Sequence, residues 1–260
     1  MISDLRQLGD WALIAGGSEG VGACFARRLA TAGVNLVLMA RKAEPLEALA
    51  VELRAASGVA VRTLSLDLTA PGAIDQARVA TDDLEVGLLI CNAGSETRFG
   101  DFVDTPLSRA EGMIQLNVVV PTALAHHYGG LMKQRRRGGV ILVGSMAGNS
   151  GCAKIAVYAA AKAYSQTFAE GLWAELNPHG VHVLGLVIGA TRTPALERAI
   201  GTAHDGLADA DEMAREGLDH LDEGPVWVAG GNASAARHIR ALPRAEAVSM
   251  MSRGTASLID

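Results

Sequence analysis

The sequence predicts a doubly wound α/β fold, a parallel sheet of about seven strands with helices on both faces. Three observations carry this. Short β-rich runs alternate with longer helical stretches along all 260 residues. Most of those runs are apolar at every position, the pattern of strands buried on both faces. Glycine is abundant, 30 of 260 residues, without low complexity, as expected where many strands turn tightly into helices.

Residues 11–15 (WALIA) read as the first strand and 21–32 as the first helix. A nearly continuous apolar strand follows at 34–40 (VNLVLMA), then a helix at 44–57. Residues 59–66 are a third strand and 87–91 (GLLIC) a fourth. A long helical stretch covers 108–137, and 139–143 (GVILV) is the fifth strand. A second long helix spans 155–176, 181–187 (VHVLGLV) is the sixth strand, and 226–229 the seventh. No linker, composition shift or repeat divides the chain, so one domain is expected over 1–260. About 189–223 breaks the rhythm. Such excursions are often substrate lids; the alternative is a helical cover on the sheet edge, and the neighbouring motifs favour the lid. Residues 232–260 read as short helices separated by Pro243, packed on their own subunit or over a neighbour's site.

Composition narrows the function classes. Hydrophobic residues are 49%, charged residues 20%, and mean hydropathy is +0.22, which supports a large core and excludes disorder. A net charge of −5 and a pI near 5.8 argue against a nucleic-acid partner. The one basic run, Lys133 to Arg137, reads as a solvated helix end. Cys24, Cys91 and Cys152 are too few and scattered for a disulfide framework or metal site, so no metal is expected and all three read as buried thiols. The N-terminus has no apolar leader, and no run approaches the ~18 apolar residues of a membrane span. The expectation is a soluble, cytoplasmic protein.

Directly after the first strand comes Ala15-Gly16-Gly17-Ser18-Glu19-Gly20-Val21-Gly22, which opens the first helix. Glycines let a backbone approach phosphates closely, and free N–H groups at a helix start favour negative charge. This predicts a Rossmann-type dinucleotide site, although the spacing is G-x-x-x-G-x-G. The second strand ends at Ala40-Arg41-Lys42, without the acidic residue that would hold a ribose 2′-hydroxyl. Arg41 and Lys42 suit a 2′-phosphate instead, which favours NADP(H). Two features oppose this. Arg41 and Lys42 also fit a solvated helix start, and Glu19 would compete if it turned toward the same phosphate.

Tyr158 and Lys162 share a helix face, with only alanines between them. An ammonium beside a phenol lowers its pKa, so Tyr158 is expected to serve as a general acid/base. Tyr164 has no lysine four residues on and should be a packing residue. The fifth strand ends at Gly144-Ser145, where a parallel sheet binds ligands, so Ser145 can reach a substrate oxygen. Asn117 sits inside a helical stretch, a locally unfavourable place that points to a polar role.

With these motifs in order, the chain resembles the short-chain dehydrogenases/reductases along essentially its whole length. The match rests on Gly16, Gly20 and Gly22, Asp67-Leu68, Cys91-Asn92-Ala93-Gly94, Asn117, Ser145, Tyr158-x-x-x-Lys162, and Gly189 with Thr193. The resemblance implies a catalytic tetrad. Tyr158 moves the proton, Ser145 orients the carbonyl oxygen, Lys162 holds the nicotinamide ribose, and Asn117 anchors a relay water. It implies cofactor contacts from Gly16, Ser18, Glu19, Gly20, Val21, Arg41, Lys42, Asp67, Leu68, Asn92, Ala93, Gly94, Tyr158, Lys162, Gly189, Thr191 and Thr193. It also implies a homodimer or homotetramer through the apolar 155–176 helix.

Two departures touch loop geometry. Ala15 stands where the family has threonine, and Ile188-Gly189 where it has Pro-Gly. WALIAGGSEGVG, VILVGSMAG and LVIGATRTPAL are similar to the bacterial 7β-hydroxysteroid dehydrogenases, which use NADPH. That similarity implies a bulky alicyclic ketone or secondary alcohol. Met146, Ala147, Ile155, Thr191, Leu196 and Phe99 are candidate pocket residues. Alternatives are a 3-oxoacyl-thioester reductase, a non-catalytic NADP(H)-binding sensor, and an epimerase or dehydratase. The last needs a larger C-terminal domain than the roughly thirty residues after the seventh strand provide, and a sensor has no need of the tetrad.

Overall fold

The computed structural model describes residues 2, 4–201 and 204–259. Its strands are β1 (Trp11–Ala15), β2 (Asn35–Ala40), β3 (Val61–Ser65), β4 (Val86–Cys91), β5 (Gly138–Ser145), β6 (Val181–Ile188) and β7 (Val226–Val228). They form one sheet in the order β3-β2-β1-β4-β5-β6-β7, with every pairing parallel. The connecting helices are α1 (Gly20–Thr31), α2 (Ala43–Ser57), α3 (Ala73–Val79), α4 (Leu107–Ile114), α5 (Val120–Arg135), α6 (Ala156–Leu176), α7 (Pro194–Ile200) and α8 (Ala210–Asp219). Two more, α9 (Ala233–Ala241) and α10 (Arg244–Ile259), form a C-terminal arm.

The all-apolar strands do what their pattern predicts. Alternate residues supply opposite faces, as a period of two requires. Ile14, Leu36, Leu38 and Ile90 meet Phe25, Leu29 and Leu46 on one side. Leu13, Val37, Met39 and Leu89 meet Leu124, Tyr128 and Met132 on the other. Chain order reverses between β1 and β4, which opens a crevice at their carboxyl ends, where such sheets bind ligands. Among the described residues, no helix is long and apolar enough to cross a membrane.

Several expectations need correction. The short α3 had no strong apolar period and was not foreseen. The long 108–137 stretch is helical but not uniformly α: a π turn spans Gln115–Val119, in which the Val120 N–H donates to the Gln115 carbonyl. The 189–223 excursion splits in two. Its first part, through α7, borders the central cavity. Its second part, α8, is core, with Met213, Ala214 and Leu218 buried among α1 and sheet residues. A Cβ at Gly217 would lie 2.8 Å from Leu186, so α8 sits too close to the sheet to act as a lid. Thr202 and Ala203, inside that predicted lid, lie outside the described residues, as do Met1, Ser3 and Asp260 at the ends of the expected domain.

The basic run is only partly a solvated end. Arg135 donates to the Val86 carbonyl at 2.7 Å and Arg137 to Glu85 at 2.5 Å, fastening α5 to the start of β4. Cys91 and Cys152 are buried, but Cys24 is only half-buried because it faces the α1–α8 seam near the surface.

Candidate active site

The crevice is built where the glycine turn crosses the end of β4. The Asn92 and Ala93 N–H groups donate to the Ala15 carbonyl at 2.9 and 2.8 Å, and Asn92 Nδ2 donates to the Gly16 carbonyl at 2.8 Å. The crossing leaves no room for side chains. A Cβ at Gly16 (φ +87°) would lie 2.7 Å from the Ala93 nitrogen, and one at Gly22 only 2.0 Å from the Gly16 oxygen. From this turn a cavity of about 820 Å³ runs past the end of β2 to Tyr158, within the range that accommodates sizeable organic ligands. The cavity is lined by Gly16, Ser18, Glu19, Gly20, Val21, Arg41, Lys42, Asp67, Leu68, Asn92, Ala93 and Gly94 at one end and side. Gly189, Thr191 and Thr193 lie across from them, and Ser145, Tyr158 and Lys162 form the inner wall. The six candidate pocket residues line it as well.

The basic end is more elaborate than its sequence suggests. Glu19 does turn toward Lys42, at 4.0 Å, but Arg198 of α7 holds the same carboxylate at 2.6 Å. Two cations, Lys42 and Arg198, therefore share one carboxylate, and Arg41 lines the same end of the cavity, so the field there favours an anion. Asp67 is turned inward on Thr69, accepting from its N–H and hydroxyl at 2.9 and 2.7 Å, which holds its pKa low.

On the inner wall, Lys162 is 4% exposed and donates to the Val143 carbonyl at 2.9 Å. Burial pulls its pKa down to about 8. Its Nζ lies 5.5 Å from the Tyr158 ring centroid. The expected lowering of the Tyr158 pKa is not what this structure gives. Burial raises it, a hydrogen bond with Ser145 pulls it back in part, and the Glu96 carboxylate adds to the rise. The Lys162 ammonium is turned to a backbone carbonyl rather than to the phenol oxygen, so desolvation wins. Tyr164 behaves as the packing residue expected, stacked on Phe168 with ring centroids 5.3 Å apart, and its hydroxyl also shares a 2.6 Å hydrogen bond with Thr122.

Asn117 stands apart from the large cavity. It is 2% exposed in the π turn, where its Nδ2 donates to the Met113 carbonyl at 3.1 Å. Its Oδ1 is buried without a hydrogen-bond partner. A Cβ at Gly94 (φ +119°) would lie 2.1 Å from that oxygen. A separate cavity of about 10 Å³ is bounded by Asn117, Lys162 and Ser165, close to the space one water needs.

The model of the short chain dehydrogenase family matches residues 10–202. The chain belongs to the short-chain dehydrogenase/reductase family. This short-chain dehydrogenase is therefore an oxidoreductase of a family that uses a nicotinamide cofactor. It is 37% identical over 191 residues to a 7β-hydroxysteroid dehydrogenase of Collinsella aerofaciens, covering 74% of this chain and 72% of that one. A structure solved to study 7β-hydroxysteroid dehydrogenase stereoselectivity superposes with a TM-score of 0.89 at 32% identity, over 95% of this chain and 99% of that one. A short-chain dehydrogenase from Sphingobium yanoikuyae, solved in complex with NADPH, gives 0.80 at 32% identity over 97% of each chain.

Several residues at or behind the cavity wall of this short-chain dehydrogenase were missed in the sequence. Glu96 and Arg109 form a largely buried ion pair at 2.9 Å beside Tyr158. The C-terminal arm packs on its own subunit, and Met250, Met251, Gly254, Thr255 and Leu258 of α10 wall the cavity. The spacing of Met250, Gly254 and Leu258 is a helical-face signal that could have identified them. With Met146, Ile155 and Leu196, these side chains give the cavity an aliphatic and methionine lining.

Proposed function

We propose that this enzyme is an NADP(H)-dependent carbonyl reductase and secondary-alcohol dehydrogenase acting on bulky alicyclic ketones, hydroxysteroids in particular. The supporting observation is the meeting of Ser145, Tyr158 and Lys162 on one wall of a cavity whose other end is a glycine cradle ringed by Arg41, Lys42 and Arg198. The glycine crossings and the basic end fit a dinucleotide phosphate, with Arg41 and Lys42 holding a 2′-phosphate. The names of the Collinsella and Sphingobium proteins point to the same substrate and cofactor.

The nicotinamide supplies or accepts the hydride when bound. Tyr158 donates its hydroxyl proton to the substrate oxygen as negative charge develops there, and takes it back in the oxidative direction. Ser145 donates a hydrogen bond to that same oxygen and fixes its place. Lys162, charged below about pH 8, would hold the nicotinamide ribose and give up the proton that restores the Tyr158 phenol. Asn117, beside the small cavity, would hold a water through which Lys162 regains its proton. The apolar wall around Tyr158, made by Phe99, Ala147, Ile155 and Met251, suits a rigid hydrocarbon skeleton.

The test is NADPH consumption against steroid, terpenoid, aryl and acyl-thioester ketones, with Tyr158→Phe as the control. Reduction of an alicyclic ketone, lost in Tyr158→Phe while NADPH still binds, is the expected result. Turnover confined to acyl thioesters would make the protein a 3-oxoacyl reductase. NADPH binding with no turnover of any ketone would make it a sensor and refute the proposal.

A further inference from the structure

The turn that presents Ser145 to the cavity is held from behind by the C-terminal arm. Ser145 ends β5, and a single 3-10 turn, Met146–Asn149, follows it. Two side-chain amides grip this turn. Gln166, buried on α6 one turn beyond Lys162, donates Nε2–H to the Ser145 carbonyl at 3.1 Å. Asn149 donates Nδ2–H to the Met146 carbonyl at 3.0 Å.

A side-chain amide can present either end, an acceptor oxygen or a donor NH₂. Here one residue orients both. Arg240 of α9 donates from Nε to Asn149 Oδ1 at 2.7 Å and from Nη2 to Gln166 Oε1 at 2.5 Å. A guanidinium can only donate, so both amide oxygens must face it. Both NH₂ groups must then face the carbonyls of residues 145 and 146. Rotating either amide would set oxygen against oxygen at the turn and NH₂ against the guanidinium. The turn also has no slack. A Cβ at Gly148 would lie 2.6 Å from Gln166 Nε2 and 2.7 Å from the Lys162 carbonyl carbon.

We propose that Arg240 is a positioning residue: through Gln166 and Asn149 it fixes the peptide of Ser145 and so the direction of the serine hydroxyl. This rests on the role given to Ser145 under Proposed function. The arm that carries Arg240 continues into α10, which walls the cavity with Met250, Met251 and Leu258. The same arm thus walls the pocket and holds the serine's turn.

Arg240→Met removes both donors with little change in volume. Its kcat should fall about tenfold to a hundredfold, the range of small misplacements near reacting atoms. Its Kd for NADPH, read by fluorescence, should stay within about twofold, because it touches no phosphate-binding group. Gln166→Glu separates positioning from stability. It keeps Arg240 paired but sets an oxygen against the Ser145 carbonyl. Its kcat should drop about tenfold or more from about pH 5 to about pH 8, because the Arg240 guanidinium keeps the new carboxyl ionised and an acceptor, while its Tm and its Kd for NADPH stay near wild type. A purely structural role predicts instead a loss of kcat that follows a fall in Tm. Unchanged kcat in both variants overturns the proposal. A crystal structure of Arg240→Met gives a readout independent of turnover: a displaced or doubled Ser145 turn supports it, and Ser145 Oγ in its present place overturns it. If the wild type reduces no ketone, the functional reading falls, and that crystal structure still decides the positioning.

Discussion

Replacing Lys162 by methionine should make the protein more stable while ending its chemistry. The ammonium is 4% exposed and has one hydrogen bond, to the Val143 carbonyl at 2.9 Å. Burial shifts its pKa from 10.5 to about 8, a penalty on the charged form of roughly 3 kcal/mol. Methionine keeps the length of the chain and removes the charge; the lost hydrogen bond offsets about 1 kcal/mol. The net gain near neutral pH is then about 2 kcal/mol, or roughly 5 °C in Tm for a chain of this size. The sign follows from linkage. A base whose folded pKa lies below its unfolded one destabilises the fold fully below the folded value. That penalty fades as pH rises toward the unfolded value. The advantage of Lys162→Met should therefore be complete at pH 7 and shrink between about 8 and 10.5. Urea unfolding of both proteins across this range is the assay. A variant less stable at pH 7, or a difference flat with pH, would refute the reasoning.

Arg41→Ala should weaken NADPH binding by roughly 1.5–3 kcal/mol, the value of a charge-assisted bond, and leave NADH binding unchanged. Titration with both cofactors checks this, and equal losses would move the 2′-phosphate contact elsewhere. Gly94→Ala would place a Cβ 2.1 Å from Asn117 Oδ1 at a φ of +119°, so a loss of at least about 2 kcal/mol and of turnover is expected by denaturation and kinetics. We also propose that two copies pair through α6. Its Ala156, Ala160, Gly171 and Ala174 are exposed and small enough for close helix packing, and Leu107, Ile114 and Val119 are exposed alongside on the 107–119 segment. Sedimentation at micromolar concentration should show a dimer or tetramer, and a sharp 27.0 kDa species would refute it.

The sequence by itself determined the sheet, the glycine turn and the Tyr158–Lys162 face. Each follows from a short-range rule: a period of two buried on both sides, a backbone that must pass within 3 Å of another, a helix repeat of four. These rules act over a few residues, so they are written in consecutive letters. Tertiary structure decided what depends on partners far apart in the chain. Arg240 reaches Gln166 across 74 positions, and Arg198 reaches Glu19 across 179. Nothing local marks either contact. The acidity of Tyr158 belongs here too. Its neighbour at i+4 suggested a lowered pKa, yet burial of the phenol and the Glu96 carboxylate raise it, while the Lys162 head group turns to the Val143 carbonyl. A charge's effect depends on where its head group points and how much water remains around it, and only packing sets those two quantities.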